Sequence, residues 1–159
     1  MWLGFGEWLW KSIVGLRPTA PAFAKVSVAP LVGFADGPAS VSSRLKTARG
    51  VVMVAWNMSR ARDRVQLTVS LPVGVQHAVV TIPAPFLGNG TRAAPQECMV
   101  SESGRVLWKR VAASSDTWPK GILSVGLGNA TVRASASLDA VQVVVVGNGQ
   151  FDFETSLLS

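Results

Sequence analysis

Arg64-Val-Gln-Leu-Thr-Val-Ser-Leu71 sets Val65, Leu67, Val69 and Leu71 against Gln66, Thr68 and Ser70. Apolar and polar residues alternate with the period of two that an extended chain imposes, since successive side chains point to opposite faces. Such a strand buries one face and wets the other, as in an antiparallel sheet. Residues 50–57 precede it with an apolar run, and the short polar stretch 57–63 between them predicts a hairpin. The same texture recurs over residues 25–28, 40–46, 76–82, 97–100, 105–109, 122–127, 131–136, 142–146 and 150–154. Gly, Pro, Asn and Ser punctuate these runs: loops are predicted at 30–38, 83–95 and 112–119, and tight turns at Ser103-Gly104 and Gly147-Asn148-Gly149. The reading is a mostly β protein, an antiparallel β-sandwich of jelly-roll-like type.

One helix precedes the strands. Phe5, Trp8, Leu9, Ile13 and Leu16 recur at helical spacing over residues 2–16, and Trp2, Leu3 and Trp10 extend the apolar surface almost all round. A helix this apolar must pack on something. Gly15 lies near its predicted end, and Arg17-Pro18 closes it, because the residue before a proline is pushed out of the α region. Residues 19–21 read as a linker.

The chain has 159 residues, 48% of them hydrophobic and 15% charged, so it can bury a core and does not have a disordered composition. No apolar run approaches the roughly 20 residues of a membrane-spanning helix. Ala22-Phe23-Ala24 has the form of a leader cleavage site, but the preceding stretch carries Glu7 and Lys11 and lacks a basic start, so a signal peptide is not the reading adopted. Asn57-Met-Ser, Asn89-Gly-Thr and Asn129-Ala-Thr are acceptor triplets for N-linked glycans. Asn57 closes an apolar strand, which counts against it. The compartment is left open.

Fifteen Lys and Arg against nine Asp and Glu give a net charge of +6. Lys11, Arg17, Lys25, Arg92, Lys120 and Arg133 are scattered. Arg44, Lys46 and Arg49 form one group, and Arg60, Arg62 and Arg64 another. Without interleaved aromatics or a binding motif these read as solvated strand faces and a hairpin turn, and no nucleic-acid partner is assigned.

A search for chemistry returns little. His77, the only histidine, is the only base candidate, and it reads as an ordinary edge histidine at a strand start. Cys98, the only cysteine, reads as a buried thiol, and one Cys with one His excludes a multi-cysteine or two-histidine metal centre. Val125-Gly-Leu-Gly-Asn and Gly147-Asn-Gly precede no helix, and Gly4-Phe-Gly follows no strand, so no phosphate cradle is expected. Glu97 and Glu102 are the nearest carboxylate pair on distinct strands. Inverting glycosidases hold two carboxylates roughly 6.5–9.5 Å apart, but these two are expected to straddle a turn at the surface. No residue is assigned a catalytic, cofactor-binding or metal role, and no cofactor is expected.

Several stretches, in order along the chain, resemble the C-terminal region of bacterial- and fungal-type α-L-rhamnosidases. Gly6-Glu-Trp-Leu-Trp-Lys-Ser-Ile-Val-Gly-Leu is similar to the last helix of that family's α-barrel. Pro21-Ala-Phe-Ala-Lys-Val-Ser-Val-Ala-Pro is similar to its first sandwich strand, with Ala22 where glycine is usual. Residues 51–56 resemble a strand ending in Ser-Trp, with Ala55 in place of the serine. Leu67-Thr-Val-Ser-Leu-Pro, Ala78-Val-Val-Thr-Ile-Pro, Val100-Ser-Glu-Ser-Gly and Val145-Val-Gly-Asn-Gly-Gln-Phe-Asp-Phe match later motifs. Residues 111–140 form a longer region than the family pattern has.

The resemblance implies residues 1–18 as a remnant of the last helix of an α-barrel catalytic domain and 19–159 as the C-terminal β-sandwich. It also implies a glycoside hydrolase that removes terminal α-L-rhamnose with inversion. Its acid and base would stand on the barrel, upstream of this chain, so none carries over. The chain alone is then expected to be inactive, a structural or accessory piece whose partner is the catalytic barrel. Glu7, in the matched helix, reads as a helix-start carboxylate favoured by the dipole, with a site-supporting role as its functional counterpart. Trp2, Trp8 and Trp10 read as packing against missing barrel helices rather than as sugar platforms. The alternative is a free-standing carbohydrate-binding sandwich, with rhamnose-containing glycans as partners and Trp56, Trp108 and Trp118 as candidate platforms. A basic nucleic-acid binder is the third reading.

Overall fold

The computed structural model describes residues 3–33, 37–84, 98–109, 123–127, 130–136 and 140–157. Two six-stranded sheets share one apolar core. The first sheet contains β1 (Leu16–Pro18), β2 (Lys25–Val28), β6 (His77–Pro83), β11 (Ala140–Val146), β10 (Ala130–Ala136) and β9 (Leu123–Leu127), in that order across it. The second contains β3 (Ser40–Thr47), β4 (Gly50–Met58), β5 (Arg64–Leu71), β12 (Gly149–Leu157), β7 (Cys98–Glu102) and β8 (Arg105–Lys109). The sandwich predicted from the alternation is present. So is the hairpin joining β4 to β5, in which Trp56 pairs with Leu67 and Met58 with Val65.

Strand alternation builds the core directly. Val52, Val54, Trp56 and Met58 of β4 and Val65, Leu67, Val69 and Leu71 of β5 point inward. From the facing sheet come Val26 and Val28 of β2, Ala78, Val80 and Ile82 of β6, and Val141, Val143 and Val145 of β11. Phe151 and Phe153 of β12 stack with ring centroids 6.3 Å apart and fill the space between.

Three features depart from the sequence reading, and a fourth supplies pairing that it left open. First, the helix is shorter than predicted: α1 (Leu3–Trp8) continues as a π-helical segment, Leu9–Val14, and stops at Gly15. Gly15 takes φ +74°, the left-handed conformation that ends helices and favours glycine. The stop is therefore made before Pro18 acts, and Leu16–Pro18 is freed to pair with β2 as a strand. Second, β2 runs parallel to β6, so the first sheet is not wholly antiparallel. Third, Gly147-Asn148 does not close a hairpin within one sheet; it carries the chain from β11 in one sheet to β12 in the other. Fourth, β9, β10 and β11 form an antiparallel meander, which assigns strand pairing within the long region 111–140.

Ser103-Gly104 does turn as expected. Both residues have positive φ, 45° and 80°, as a two-residue hairpin between β7 and β8 requires.

Ala22 and Phe23 also follow one another with positive φ, 52° and 59°. The Ala24 N–H holds this turn by donating to the Pro21 carbonyl at 3.1 Å, and the Arg49 guanidinium does so by donating to the Ala22 carbonyl at 3.1 Å. The left-handed conformation costs a Cβ-bearing residue about 1–2 kcal/mol, and glycine escapes that cost while losing more freedom on folding. Ala22→Gly is therefore expected to raise stability by roughly 0.5–1 kcal/mol, seen as a higher urea midpoint at unchanged slope. A lower midpoint would show that the turn carries no strain at this position.

Candidate functional site

Several hydrogen bonds gather at the junction where the helix meets the sandwich. A helix leaves its last carbonyls without intrahelical partners, and a buried one must find them elsewhere. Here the carbonyls of Lys11, Ser12 and Ile13 are taken by donors from outside the helix, and that of Trp10 by the capping glycine. The Gly15 N–H donates to the Trp10 carbonyl. Arg17 Nε donates to the Lys11 carbonyl at 3.0 Å. The Leu31 N–H donates to the Ser12 carbonyl at 3.0 Å, and the Ala29 N–H to the Gly15 carbonyl at 2.9 Å. Trp56 Nε1, from the buried face of β4, donates to the Ile13 carbonyl at 3.0 Å. Ile13, Val14 and Leu16 are buried, and Trp10 packs against the core.

The other end of the helix is different. Gly4, Gly6, Glu7, Trp8 and Leu9 are exposed, Trp8 by 47%, and Leu31 adds a further exposed apolar side chain. Glu7 lies beyond the first helical turn, so the helix-dipole reading is corrected: its partner is Lys11, one turn on, with both side chains in water. The Lys11 ammonium holds the Glu7 carboxyl below the usual carboxylate range, by hydrogen bond and by charge. What this pair contributes is present at neutral pH and fades as acid protonates Glu7.

The remaining candidates do not converge. His77 opens β6 as expected, but β6 is an interior strand, and the half-buried ring stands in register between Lys25 of β2 and Val146 of β11. No hydrogen bond or ion pair ties it to a serine or carboxylate among the described residues. Cys98 starts β7. Glu97, Asn89, Asn129, Trp2, Trp118, Arg92 and Lys120, with most of the 83–95 loop and all of the 112–119 loop, lie outside the described residues. Trp56 is 2% exposed and belongs to the core, so it cannot be a sugar platform.

Two polar residues were misplaced by the sequence reading. Glu102 is not at the surface; it is 3% exposed. It shares a face of β7 with buried Val100, and the period of two takes it inward. Ser103 Oγ donates to its Oε1 at 2.7 Å, while Oε2 and the nearby buried Thr155 hydroxyl have no hydrogen-bond partner among the described residues. The alternation in Val100-Ser-Glu could have revealed this placement. Arg49, grouped with Arg44 and Lys46 as solvated, is instead half-buried. It donates to the Ala22 carbonyl at 3.1 Å and the Gly74 carbonyl at 3.1 Å, tying together turns that precede β2 and β6. Arg44 and Lys46 do lie exposed on β3, and Arg64 meets Glu154 at 3.6 Å at the surface.

The fold and the helix junction define a two-sheet sandwich domain tied to the end of a helix, with no convergent catalytic constellation among the described residues. Residues 15–90 match the family described as Bacterial alpha-L-rhamnosidase C-terminal domain. The solved alpha-L-rhamnosidase from Dictyoglumus thermophilum superposes on it with a TM-score of 0.65 at 20% identity, covering 94% of this chain and 13% of its own. Streptomyces avermitilis alpha-L-rhamnosidase, solved in complex with L-rhamnose, does so with a TM-score of 0.59 at 20% identity, covering 94% of this chain and 10% of its own. The chain thus spans only about an eighth to a tenth of the structures it resembles. No curated protein matches it. No described helix is long and apolar enough to cross a membrane, and no group of three or more metal-binding side chains gathers among the described residues.

Proposed function

We propose that this chain is the C-terminal sandwich portion of an α-L-rhamnosidase, a glycoside hydrolase acting on terminal α-L-rhamnose, and that its own role is structural. In this reading the helix within residues 1–18 is the last helix of a catalytic α-barrel, and the chain that follows it, beginning with β1 at Leu16–Pro18, forms the sandwich that buttresses it. The inverting acid and base stand on the barrel, so the chain alone does no chemistry. One observation carries the reading. The helix is bonded into the sandwich through its C-terminal carbonyls, yet its first turns leave Trp8 and Leu9 exposed. Apolar side chains left in water on a helix end call for a partner surface, and a preceding domain of the same polypeptide supplies one.

Purified chain incubated with a chromogenic α-L-rhamnoside is expected to show no turnover above the uncatalysed rate. The same sandwich joined to an upstream rhamnosidase barrel is expected to be active. Turnover by the chain alone would overturn the proposal.

A further inference from the structure

The triplet Asn57-Met58-Ser59 is the one acceptor sequon of three that falls wholly within the described residues. The objection raised from sequence was that Asn57 closes an apolar run. The structure removes it. Along β4 the buried residues are Val52, Val54, Trp56 and Met58, and Asn57 stands on the opposite, exposed face. It lies opposite Ser40 on β3 and Gln66 on β5, both exposed and neither bulky. The Gln66 amide is engaged with Glu154 at 3.1 Å, and no hydrogen bond to a described residue holds the Asn57 side chain.

We propose that Asn57 is an N-glycosylation site, used when the chain passes through a secretory compartment containing an oligosaccharyl transferase. The co-substrate is a lipid-linked oligosaccharide diphosphate. The Asn57 amide nitrogen forms a bond to the anomeric carbon, the bond from that carbon to the phosphate oxygen breaks, and the lipid diphosphate departs. The nitrogen gives up one proton to a base. Ser59 supplies the hydroxyl that completes the triplet in the unfolded chain. After folding the same hydroxyl donates to Asp63 at 2.6 Å and accepts the Arg64 N–H at 3.2 Å, closing the β4–β5 hairpin. A glycan on Asn57 projects from the outer face of the second sheet and displaces no core side chain, so folding after transfer is unopposed.

The test secretes the full chain from a eukaryotic cell behind a cleavable leader and digests the secreted protein with trypsin. Cleavage after Arg49 and Arg60 places Asn57 alone among the three sequons on the peptide 50–60. That peptide is expected to be recovered only after enzymatic deglycosylation, with Asn57 converted to Asp. An Asn57→Gln variant is expected to fold unchanged, because the residue is exposed, and to give the peptide without deglycosylation. Recovery of the peptide with unmodified Asn57 from the untreated secreted protein would overturn the proposal.

Discussion

Gly15→Ala is expected to abolish folding of this chain or to lower its stability by about 4 kcal/mol or more, which places it in the exceptional tail of single substitutions. Two costs add at this position. The first is conformational: φ is +74°, where a Cβ costs about 1–2 kcal/mol. The second is steric. A Cβ here would stand 2.1 Å from the Ala29 carbonyl carbon, 2.2 Å from its oxygen and 2.3 Å from the Pro30 nitrogen. All three are backbone atoms, and they cannot rotate away. Relief requires separating the helix end from the start of the loop after β2, which breaks the Ala29-to-Gly15 and Leu31-to-Ser12 hydrogen bonds. Gly104 separates the two costs. It has φ +80° and nothing within 4 Å of its would-be Cβ, so Gly104→Ala carries the conformational cost alone, about 1–2 kcal/mol. Urea unfolding of both variants checks this: the difference between them measures the close approach of the helix end to β2. Equal losses would show that no such approach constrains Gly15.

The elements whose partners are local were readable. Val65 to Leu71 alternate over seven residues, and the polar hairpin before them brings β4 alongside without further information. Ser103-Gly104 is a turn because two adjacent residues need positive φ and one is glycine. Glu102 was readable as well, since its burial follows from Val100 by the same period of two. Elements with distant or ambiguous partners were not. β1 is three residues long and ends in proline, and its apolar Leu16 fits a helical stripe as well as a strand. β2 has a clean alternation, but a period says nothing of whether the neighbouring strand runs parallel, and its partner β6 begins 49 residues on from Val28, at His77. Arg49 sits between two exposed-looking residues, and the carbonyls it bonds are 27 and 25 residues away. The helix junction illustrates both cases. Gly15 was visible as a terminator, but the captors of the carbonyls before it come from β1, the loop after β2, and β4. A sequence read locally predicts that a helix ends; it does not say what receives the end.

Trp56→Phe tests the most distant of those captors. Trp56 is the largest fully buried side chain among the described residues, and its indole N–H is donated across 43 residues to the Ile13 carbonyl. Phenylalanine keeps the apolar ring and removes the donor. A buried carbonyl left unpaired costs about 1–3 kcal/mol, and the smaller ring adds the loss of the atoms and the space they filled. The sum expected is about 2–4 kcal/mol. The loss has a location as well as a size. The carbonyls of Trp10, Lys11, Ser12 and Ile13 are taken by separate donors, so the helix end is held by several bonds acting together, and removing the central one loosens the others. Hydrogen exchange of the variant is therefore expected to accelerate at the Gly15, Ala29 and Leu31 amides more than at the paired strands β4 and β5, where backbone bonding is unchanged. If the sandwich is joined to an upstream domain as proposed, the same substitution is expected to lower the thermal stability of the joined domains. Uniform acceleration across the sheets would show that Trp56 serves the core alone. Selective acceleration at the junction would show that the indole fastens the helix, and through the helix whatever domain its exposed first turns engage.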